Sequence, residues 1–238
     1  MSFDYNDVYE KILELADDEY KKFHSSLVPG NDNIAGVRIP KLRKLARELA
    51  AADDWRGFLS CQSRGLYEEE MLKGLVIGIA RCDISERLEL VKGFVPHIDN
   101  WAVCDIFTGG LKAFKSDREL ILPFIEQCLS SQQEFTLRFA VCMLMDYYVD
   151  DGYIDYTLEK INGITNRDYY VMMARAWALS VCFVKQRNKT IELFSRFTLD
   201  AVTQNKAIQK CRESYRVSKE DKELLLKYKI KAVQRGNA

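Results

Sequence analysis

A period of 34 residues is the feature that most constrains how this chain can fold. Four large aromatic residues recur at this spacing, and each follows a short polar stretch and begins a long apolar segment: Tyr67, Trp101, Phe135 and Tyr169. A second series with the same spacing precedes other helical segments: Asp83, Asp117 and Asp151. An aspartate in this place can accept the unpaired N–H groups of a helix's first turn. Two independent series at one period indicate a repeated pair of helices.

Helical spacing of apolar residues continues through nearly the whole chain. Val8, Ile12 and Leu15 predict a first helix, and Pro40 stands where prolines commonly begin another. A single pair of helices cannot bury its apolar face, so neighbouring pairs must stack. We therefore predict an all-α, HEAT-like repeat solenoid of antiparallel helix pairs, an ARM-repeat-type superhelix that spans residues 1–238 as one domain. The helices that begin at the four aromatic residues, called the aromatic-start helices below, are expected to line its concave surface.

The charge of the chain narrows the classes of function. The 35 Lys and Arg residues balance the 35 Asp and Glu residues, which argues against a generic nucleic-acid coat protein. The charges are not evenly distributed along the chain, because residues 185–238 carry 14 basic and 6 acidic residues. A basic surface near the C-terminus is therefore compatible with the sequence.

The compartment follows from the cysteines and the N-terminus. The seven cysteines are odd in number and scattered, without a C-x-x-C motif, which is typical of buried free thiols in a reducing cytosol. Asp4, Asp7 and Glu10 give the N-terminus none of the features of a signal peptide. The longest apolar run, residues 74–80, is too short to span a bilayer. We expect a soluble, cytoplasmic, monomeric protein.

Metal and cofactor chemistry finds little support in the sequence. His24 and His97 are the only histidines, and neither has a partner at metal-ligand spacing. Glycine-rich motifs that cradle nucleotide phosphates do not occur. We therefore expect no metal and no cofactor, and an enzyme of this sequence would use a carboxylate and aromatic residues.

The aromatic-start helices place unusual residues at equivalent positions. Positions 0, 3, 4 and 8, counted from each starting aromatic residue, share one face of a helix. This register puts four residues on corresponding faces of three successive helices, where we expect them to border one cleft: Trp101, Asp105, Arg138 and Trp177.

Two interpretations of this group remain open. In the first, the tryptophans belong to the core and Asp105 forms a structural ion pair with Arg138 between neighbouring repeats. In the second, the group is a site. A carboxylate at a position where the other repeats carry Met or Phe is costly to desolvate unless it is paired or used. Two tryptophans beside a carboxylate also suit a cationic ligand.

Several segments resemble the AlkD-type DNA alkylation repair glycosylases. Residues 100–105 (NWAVCD), 137–140 (LRFA) and 176–179 (AWAL) resemble the active-site motifs of that family. Residues 36–43 (GVRIPKLR) are similar to its N-terminal signature, and residues 205–209 (NKAIQ) to its last repeat. The resemblance covers nearly the whole chain. It implies a HEAT-like solenoid that holds duplex DNA in its concave groove and excises cationic N3- and N7-alkylpurines without flipping the base into a pocket.

The resemblance also implies roles for single residues. Asp105 would stabilise oxocarbenium character at C1′ and position water. Trp101 and Trp177 would pack against the sugar and attract the cationic lesion, while Arg138 would hold the DNA backbone. Two basic groups are expected to contact DNA, namely Arg38, Lys41, Arg43 and Lys44 near the N-terminus, and Lys206, Lys210 and Arg212 near the C-terminus. Each group also has an ordinary structural interpretation, as apolar stems that pack on a helix or as a solvated helix face.

One interval departs from the family pattern. That family has a second N-terminal helix before the signature, which helps to grip the lesion. Here residues 16–37 leave room for at most a helical stub at residues 18–26, because residues 29–33 (PGNDN) break the segment. We therefore predict a shorter subgroup without that helix, with weak, strongly salt-sensitive DNA binding and slow or absent excision. A DNA-binding HEAT-repeat protein with a relic active site and a protein-binding solenoid scaffold are the alternatives.

Overall fold

Helices account for all the regular secondary structure that the computed structural model describes, which covers residues 5–31 and 33–231. In chain order the α-helices are α1 Tyr5–Glu14, α2 Asp18–Leu27, α3 Ile39–Ala50, α4 Trp55–Ser60, α5 Tyr67–Ile79, α6 Ile84–Phe94, α7 Trp101–Gly110, α8 Arg118–Leu129, α9 Glu134–Tyr147, α10 Ile154–Gly163, α11 Tyr169–Lys185, α12 Arg187–Arg196, α13 Ala201–Glu213 and α14 Lys219–Leu225. The fold class is all-α, as the helical periodicity predicts.

The helix starts confirm the 34-residue period. Helices α5, α7 and α11 begin at Tyr67, Trp101 and Tyr169, and α9 begins at Glu134, one residue before Phe135. The aromatic-start helices are therefore α5, α7, α9 and α11. The start of each is a local property of the sequence, a polar stretch followed by an apolar one, which is why the period locates it.

The aspartate series holds only in part. The Asp83 carboxylate accepts the Glu86 backbone N–H at 2.8 Å and caps α6, and Asp117 directly precedes α8. The expectation for Asp151 is wrong. A turn intervenes before α10, whose N-cap is Tyr153, and Asp151 instead accepts a hydrogen bond from the Gln186 side chain at 2.7 Å.

The chain divides into two compact units, Met1–Phe124 and Ile125–Ala238, and the boundary falls inside α8. In the first unit α3 packs on α5, and α5 packs on α7. In the second unit α9 packs on α11, and α11 packs on α13. Each unit is thus a succession of stacked helices, while the assignment of the whole chain to one HEAT-like domain stays a prediction.

Small residues bring α7 close to α5 in the first unit. A Cβ atom added to Gly78 of α5 would lie 3.0 Å from the carbonyl oxygen of Gly110 in α7. A Cβ atom on Gly74 would lie 3.2 Å from the rings of Phe94 and Phe107. Close packing of this kind leaves little freedom for α7 to shift, so side chains on its remaining face are held in fixed positions.

The short helical segment that the sequence allows before the signature, at residues 18–26, is present. Helix α2 runs over Asp18–Leu27, one residue beyond the predicted limit. The Asp17 carboxylate caps it by accepting the Tyr20 backbone N–H at 2.9 Å. The helix ends two residues before Pro29, which cannot continue it. Assignment to a subgroup without the second N-terminal helix stays a prediction.

Candidate active site and nucleic-acid interface

The first turn of α7 is fixed by an enclosed asparagine. Asn100 is 4% exposed, and its side-chain oxygen accepts the Val103 backbone N–H at 2.9 Å. Its amide nitrogen donates to the Asp99 carboxylate at 2.8 Å. Satisfied in this way, Asn100 ends the preceding turn and makes Trp101 the first helical residue.

Trp101 and Asp105 share the open face of α7. Val103 and Phe107 are buried, whereas Trp101 and Asp105 are each half-buried and Gly109 is exposed. A Cβ atom on Gly109 would meet nothing within 4 Å, so space continues along this face beyond Asp105. The predicted spacing of one helical turn between the aromatic ring and the carboxylate is confirmed within α7.

The indole of Trp101 connects α7 to α2. Its Nε1–H donates to the backbone carbonyl oxygen of Leu27 at 3.0 Å. Leu27 is the last residue of α2, where helix carbonyls lack partners within the helix. The bond therefore caps α2 and fixes the orientation of the ring. No signal in the sequence relates two residues 74 positions apart, and sequence reasoning missed this contact.

Helix α2 presents apolar side chains to solvent. Phe23 is 60% exposed and Leu27 is 43% exposed, and their spacing of four places them on one face of the helix. Lys21 and Lys22 on the same helix are also exposed. Large exposed apolar groups next to basic ones indicate a surface that contacts another molecule.

The signature at residues 36–43 is a joint between α2 and α5. The carboxylate of Glu68, which is 1% exposed, accepts the backbone N–H groups of Ala35, Gly36 and Val37 at 2.9, 2.7 and 3.0 Å. Gly36 has a φ of 89°, and a Cβ atom there would lie 2.6 Å from the carbonyl oxygen of Asp17. Only glycine fits this contact, because it alone tolerates both the backbone angle and the space.

The basic residues of the signature divide into two kinds. The Arg38 guanidinium pairs with the Asp17 carboxylate at 2.9 Å, and the Lys41 ammonium donates to the Leu15 carbonyl at 3.3 Å. The hydrogen bond from the Tyr20 backbone N–H and the pairing with Arg38 lower the pKa of Asp17. Arg43 and Lys44, by contrast, are exposed on α3. Two of the four predicted DNA contacts thus already serve the fold.

In the second unit, Arg138 is a clamp between helices. Its side chain is almost enclosed, with the residue 5% exposed, and Nη1 donates to the Tyr170 carbonyl at 2.8 Å. One turn earlier on α9, the Glu134 carboxylate accepts the Tyr170 backbone N–H at 2.6 Å. Together they hold the first turn of α11. The role of Arg138 at the DNA backbone stays a prediction.

Trp177 belongs to an apolar stripe along α11. Tyr169 is 62% exposed, and Met173 and Trp177 follow at intervals of four residues and are half-buried. Side chains at this spacing lie above one another on a helix. Tyr169, Met173 and Trp177 therefore form one apolar stripe along α11.

Basic side chains of α13 lie beside other positive groups. Lys206 and Lys210 are half-buried and one turn apart, and Arg212 is exposed. Burial lowers the pKa of Lys210, and the positive charges of Lys206 and Arg138 lower it further, against the opposing effect of the Glu213 carboxylate. This part of the second unit therefore carries several cations within electrostatic reach of one another, which favours an anionic partner.

The predicted group of four is thus present as two pairs. Trp101 and Asp105 share a face of α7 in the first unit, and Arg138 and Trp177 lie on α9 and α11 in the second. Convergence of the two pairs at one cleft stays a prediction.

Stacked helices repeated at 34 residues define an all-α helical-repeat protein. A family model described as "DNA alkylation repair enzyme" matches residues 8–211, and the chain belongs to this family. Membership implies DNA as the substrate or partner. A search of curated proteins finds no match to the chain. Across residues 5–31 and 33–231, the helices are all too short or too polar to cross a membrane.

Proposed function

We propose that this protein is a DNA glycosylase that removes cationic N3- and N7-alkylated purines from duplex DNA. The observation that carries the proposal is the pairing of Trp101 and Asp105, an aromatic ring and a carboxylate one turn apart on the open face of α7. Membership in a family of DNA alkylation repair enzymes supports the choice of substrate.

The chemistry suits a carboxylate without an acid catalyst. An alkylated purine already carries a positive charge, so it leaves the sugar as a neutral base. Positive charge then develops at C1′, and a fixed carboxylate directed at it lowers the barrier. Asp105 supplies that carboxylate, and water adds at C1′ and releases a proton to solvent, which completes hydrolysis.

Aromatic rings attract the cationic lesion before the bond breaks. The face of an indole is favourable for a cation. Trp101 offers a ring whose orientation is fixed by its hydrogen bond to Leu27. In the second unit, Trp177 packs against the sugar and Arg138 adds positive charge near the backbone.

DNA contact rests on exposed cations and on α2. Arg43 and Lys44 in the first unit, and Lys206, Lys210 and Arg212 in the second, neutralise phosphates. Phe23 of α2 lies on the helix that Trp101 caps, and it provides an apolar contact near the lesion. Because α2 has only ten residues, we expect weak, salt-sensitive binding and slow excision. Five of the seven cysteines are buried, which is typical of a protein in a reducing compartment and supports a cytoplasmic location.

Release of free base from methylated duplex DNA tests the proposal. Asp105→Asn should lower the rate by on the order of 10²-fold or more, the scale for losing one preorganised electrostatic group. Asp99→Asn is the matched control, since an asparagine keeps an oxygen that can accept the Asn100 amide. Equal release by wild type and Asp105→Asn would remove Asp105 from the mechanism.

Binding measurements on the same duplex separate the alternatives. Tight binding of duplex DNA without any base release would favour a DNA-binding protein with a relic active site. Failure to bind DNA at low salt would favour a protein-binding scaffold.

A further inference from the structure

The second unit contains a groove between α11 and α13 in which Tyr169 and Lys229 have no part in the proposed excision, while Lys206 and Arg212 also serve there as duplex contacts. Its volume is about 650 Å³. Its walls combine apolar side chains of α11 with cationic side chains of α13 and the C-terminal segment: Tyr169, Met172, Met173, Lys206, Arg212 and Lys229. Tyr169 is 62% exposed, and its ring packs edge-on against the ring of Tyr170, with 5.1 Å between the ring centres.

The cations of this groove keep most of their charge available. Within residues 33–231, neither Lys206 nor Lys229 forms an ion pair, and the Lys206 ammonium donates to the neutral Gln209 amide at 3.2 Å. Arg212 lies 3.9 Å from the Glu223 carboxylate, too long for a strong pair. Glu213 is the carboxylate in the groove lining, and it accepts the Gln209 amide at 2.7 Å. Three cations against one carboxylate make the groove complementary to an anion.

Two adjacent amide side chains hold Lys229 at the groove. The Asn205 amide nitrogen donates to the Ile230 carbonyl at 2.8 Å, and its oxygen accepts the Ile230 backbone N–H at 2.9 Å. The Gln204 amide donates to the Tyr228 carbonyl at 2.7 Å. The two hydrogen bonds between Asn205 and Ile230 have the donor and acceptor pattern of the two bonds that a neighbouring β-strand would make. The segment on both sides of Lys229 is therefore anchored to α13.

We propose that this groove binds an unpaired DNA strand, with Tyr169 stacked on a base and Lys206, Arg212 and Lys229 on its phosphates. The inference rests on the proposed function only in taking DNA as the partner. Bases in a duplex are stacked inside it and offer no face to a protein ring. An exposed aromatic ring beside a row of cations is the combination that binds single strands, because every base has a face on which it can stack.

Asn205 is a positioning residue in this proposal. Asn205 acts on the DNA strand through Lys229, whose backbone neighbour Ile230 it holds by one donated and one accepted hydrogen bond. Substitution of Asn205 should therefore weaken binding of the unpaired strand only when Lys229 is present.

The test compares a blunt DNA duplex with the same duplex extended by a 3′ overhang of about eight thymidines, within the site sizes of known strand-binding surfaces. Fluorescence anisotropy at low salt measures both affinities on the full-length protein. The wild type should bind the overhang duplex about tenfold or more tightly than the blunt one, and Tyr169→Ala should lower that preference by about fivefold or more, the scale for losing one stacked base. Affinity for the blunt duplex should stay unchanged.

Two controls match these changes. Tyr215 is fully exposed and Lys227 is exposed, and both belong to the same unit but lie outside the groove lining. Tyr215→Ala and Lys227→Gln should keep the preference for the overhang.

A double-mutant cycle tests the positioning role. Asn205→Ala and Lys229→Gln should each weaken overhang binding several-fold, and the double variant should be no weaker than Lys229→Gln alone. Each variant that lacks Lys229 should also show a shallower salt dependence, by about 0.7 in the slope for one phosphate of a single strand. Additive losses would contradict an action through Lys229.

The results separate this inference from the proposed function. Equal wild-type affinity for both DNAs, or a loss of blunt-duplex binding in Tyr169→Ala, would overturn the groove proposal even if base release is normal. Absence of base release together with an overhang preference that depends on Tyr169 would leave the groove proposal standing and refute the glycosylase.

Discussion

The basic cluster of the N-terminal signature and that of α13 look alike in sequence and differ in the structure. In the signature, Arg38 pairs with a carboxylate and Lys41 donates to a carbonyl, so both hold α3 against the connection before α2. On α13, Lys206 donates only to a neutral amide within the described residues, and Lys210 lies close to other cations. The difference teaches that the partners of a cation, rather than its presence in a basic run, decide whether it is available to DNA.

The acidic residues give the same lesson in the first unit. Residues 68–70 form a run of three glutamates that resembles a solvated helix start. Glu68 and Glu69 are each 1% exposed, and both hold neighbouring loops. Glu69 accepts the Ser63 hydroxyl at 2.8 Å and the Leu66 backbone N–H at 2.8 Å, and also the Tyr5 hydroxyl. Glu68 and Glu69 thus serve the architecture of the first unit.

The largest expected effect comes from removing the carboxylate at the joint. Glu68→Ala leaves three buried backbone N–H groups without a partner, each costing about 1–3 kcal/mol. We expect the free energy of unfolding to fall by about 3 kcal/mol or more. Denaturant unfolding measures this loss.

Glu70→Ala is the matched control for that change. Glu70 lies 3.6 Å from the Lys73 ammonium at a partly exposed position, so its loss should cost about 0.5 kcal/mol or less. If the two variants are equally stable, the signature is not the joint that its hydrogen bonds indicate.

The next prediction separates the stability cost of the backbone angle at Gly36 from the cost of the steric contact there. Gly36→Ala should cost about 2–3 kcal/mol, from a left-handed backbone angle and a contact that cannot be relieved. Gly30 has a φ of 91° and nothing within 4 Å of an added Cβ atom, so Gly30→Ala carries only the cost of the angle, about 1–2 kcal/mol. Limited proteolysis should show faster cleavage near α2 in Gly36→Ala alone.

A third effect compares the two basic clusters directly. Replacing Lys206 and Lys210 by Gln should weaken duplex DNA binding about tenfold at low salt and lower the slope against salt by about 0.9 for each lost phosphate contact. Replacing Arg38 and Lys41 by Gln should lower the unfolding midpoint and change the salt slope much less. Anisotropy titrations at several salt concentrations measure the slopes, and the reverse order would contradict the comparison.

The smallest effect is a pH dependence of the first unit. His24 is buried, stacks on Tyr20 and lies 2.8 Å from the Tyr67 hydroxyl, with Glu68 also near. Burial lowers the pKa of His24, although the negative charge of Glu68 opposes the shift. The folded state therefore resists protonation, so stability is complete above the unfolded pKa of about 6.5 and falls as pH drops towards the folded value.

The measurement for this effect is the unfolding midpoint between pH 7 and pH 5. His24→Gln should flatten the dependence in that window, since glutamine can still bond the Tyr67 hydroxyl but does not titrate. His97 is exposed, and His97→Gln should leave the dependence unchanged. A flat wild-type profile would refute the assignment to His24.

Features fixed by neighbours in the sequence were predictable. The starts of α5, α7 and α11 follow from a polar-to-apolar boundary, and the shared face of Trp101 and Asp105 follows from helical spacing. Asp151 fails as a cap because the Asp150 carbonyl already accepts the Tyr153 and Ile154 backbone N–H groups and forms a turn.

Features that depend on distant partners were not predictable. The hydrogen bond of Arg138 requires the backbone of Tyr170, 32 positions away. The position of α2 depends on the hydrogen bond from the Gly36 N–H to Glu68. One sequence holds no pattern for such pairs. The exposure of Tyr169 is of the same kind, because its equivalent Tyr67 is 6% exposed in the same register.

The hydrogen bond from Trp101 to Leu27 gives the molecule an optical reporter. Emission from an indole depends on whether its N–H meets a protein carbonyl or water. Trp55 is 5% exposed and belongs to another part of the first unit, so its emission should respond little to events at α2. The emission of Trp177, the third tryptophan, is removed by Trp177→Phe. Movement of α2 away from Trp101, or its displacement by a DNA lesion, would therefore change the emission wavelength and lifetime of Trp101 fluorescence, without any added dye.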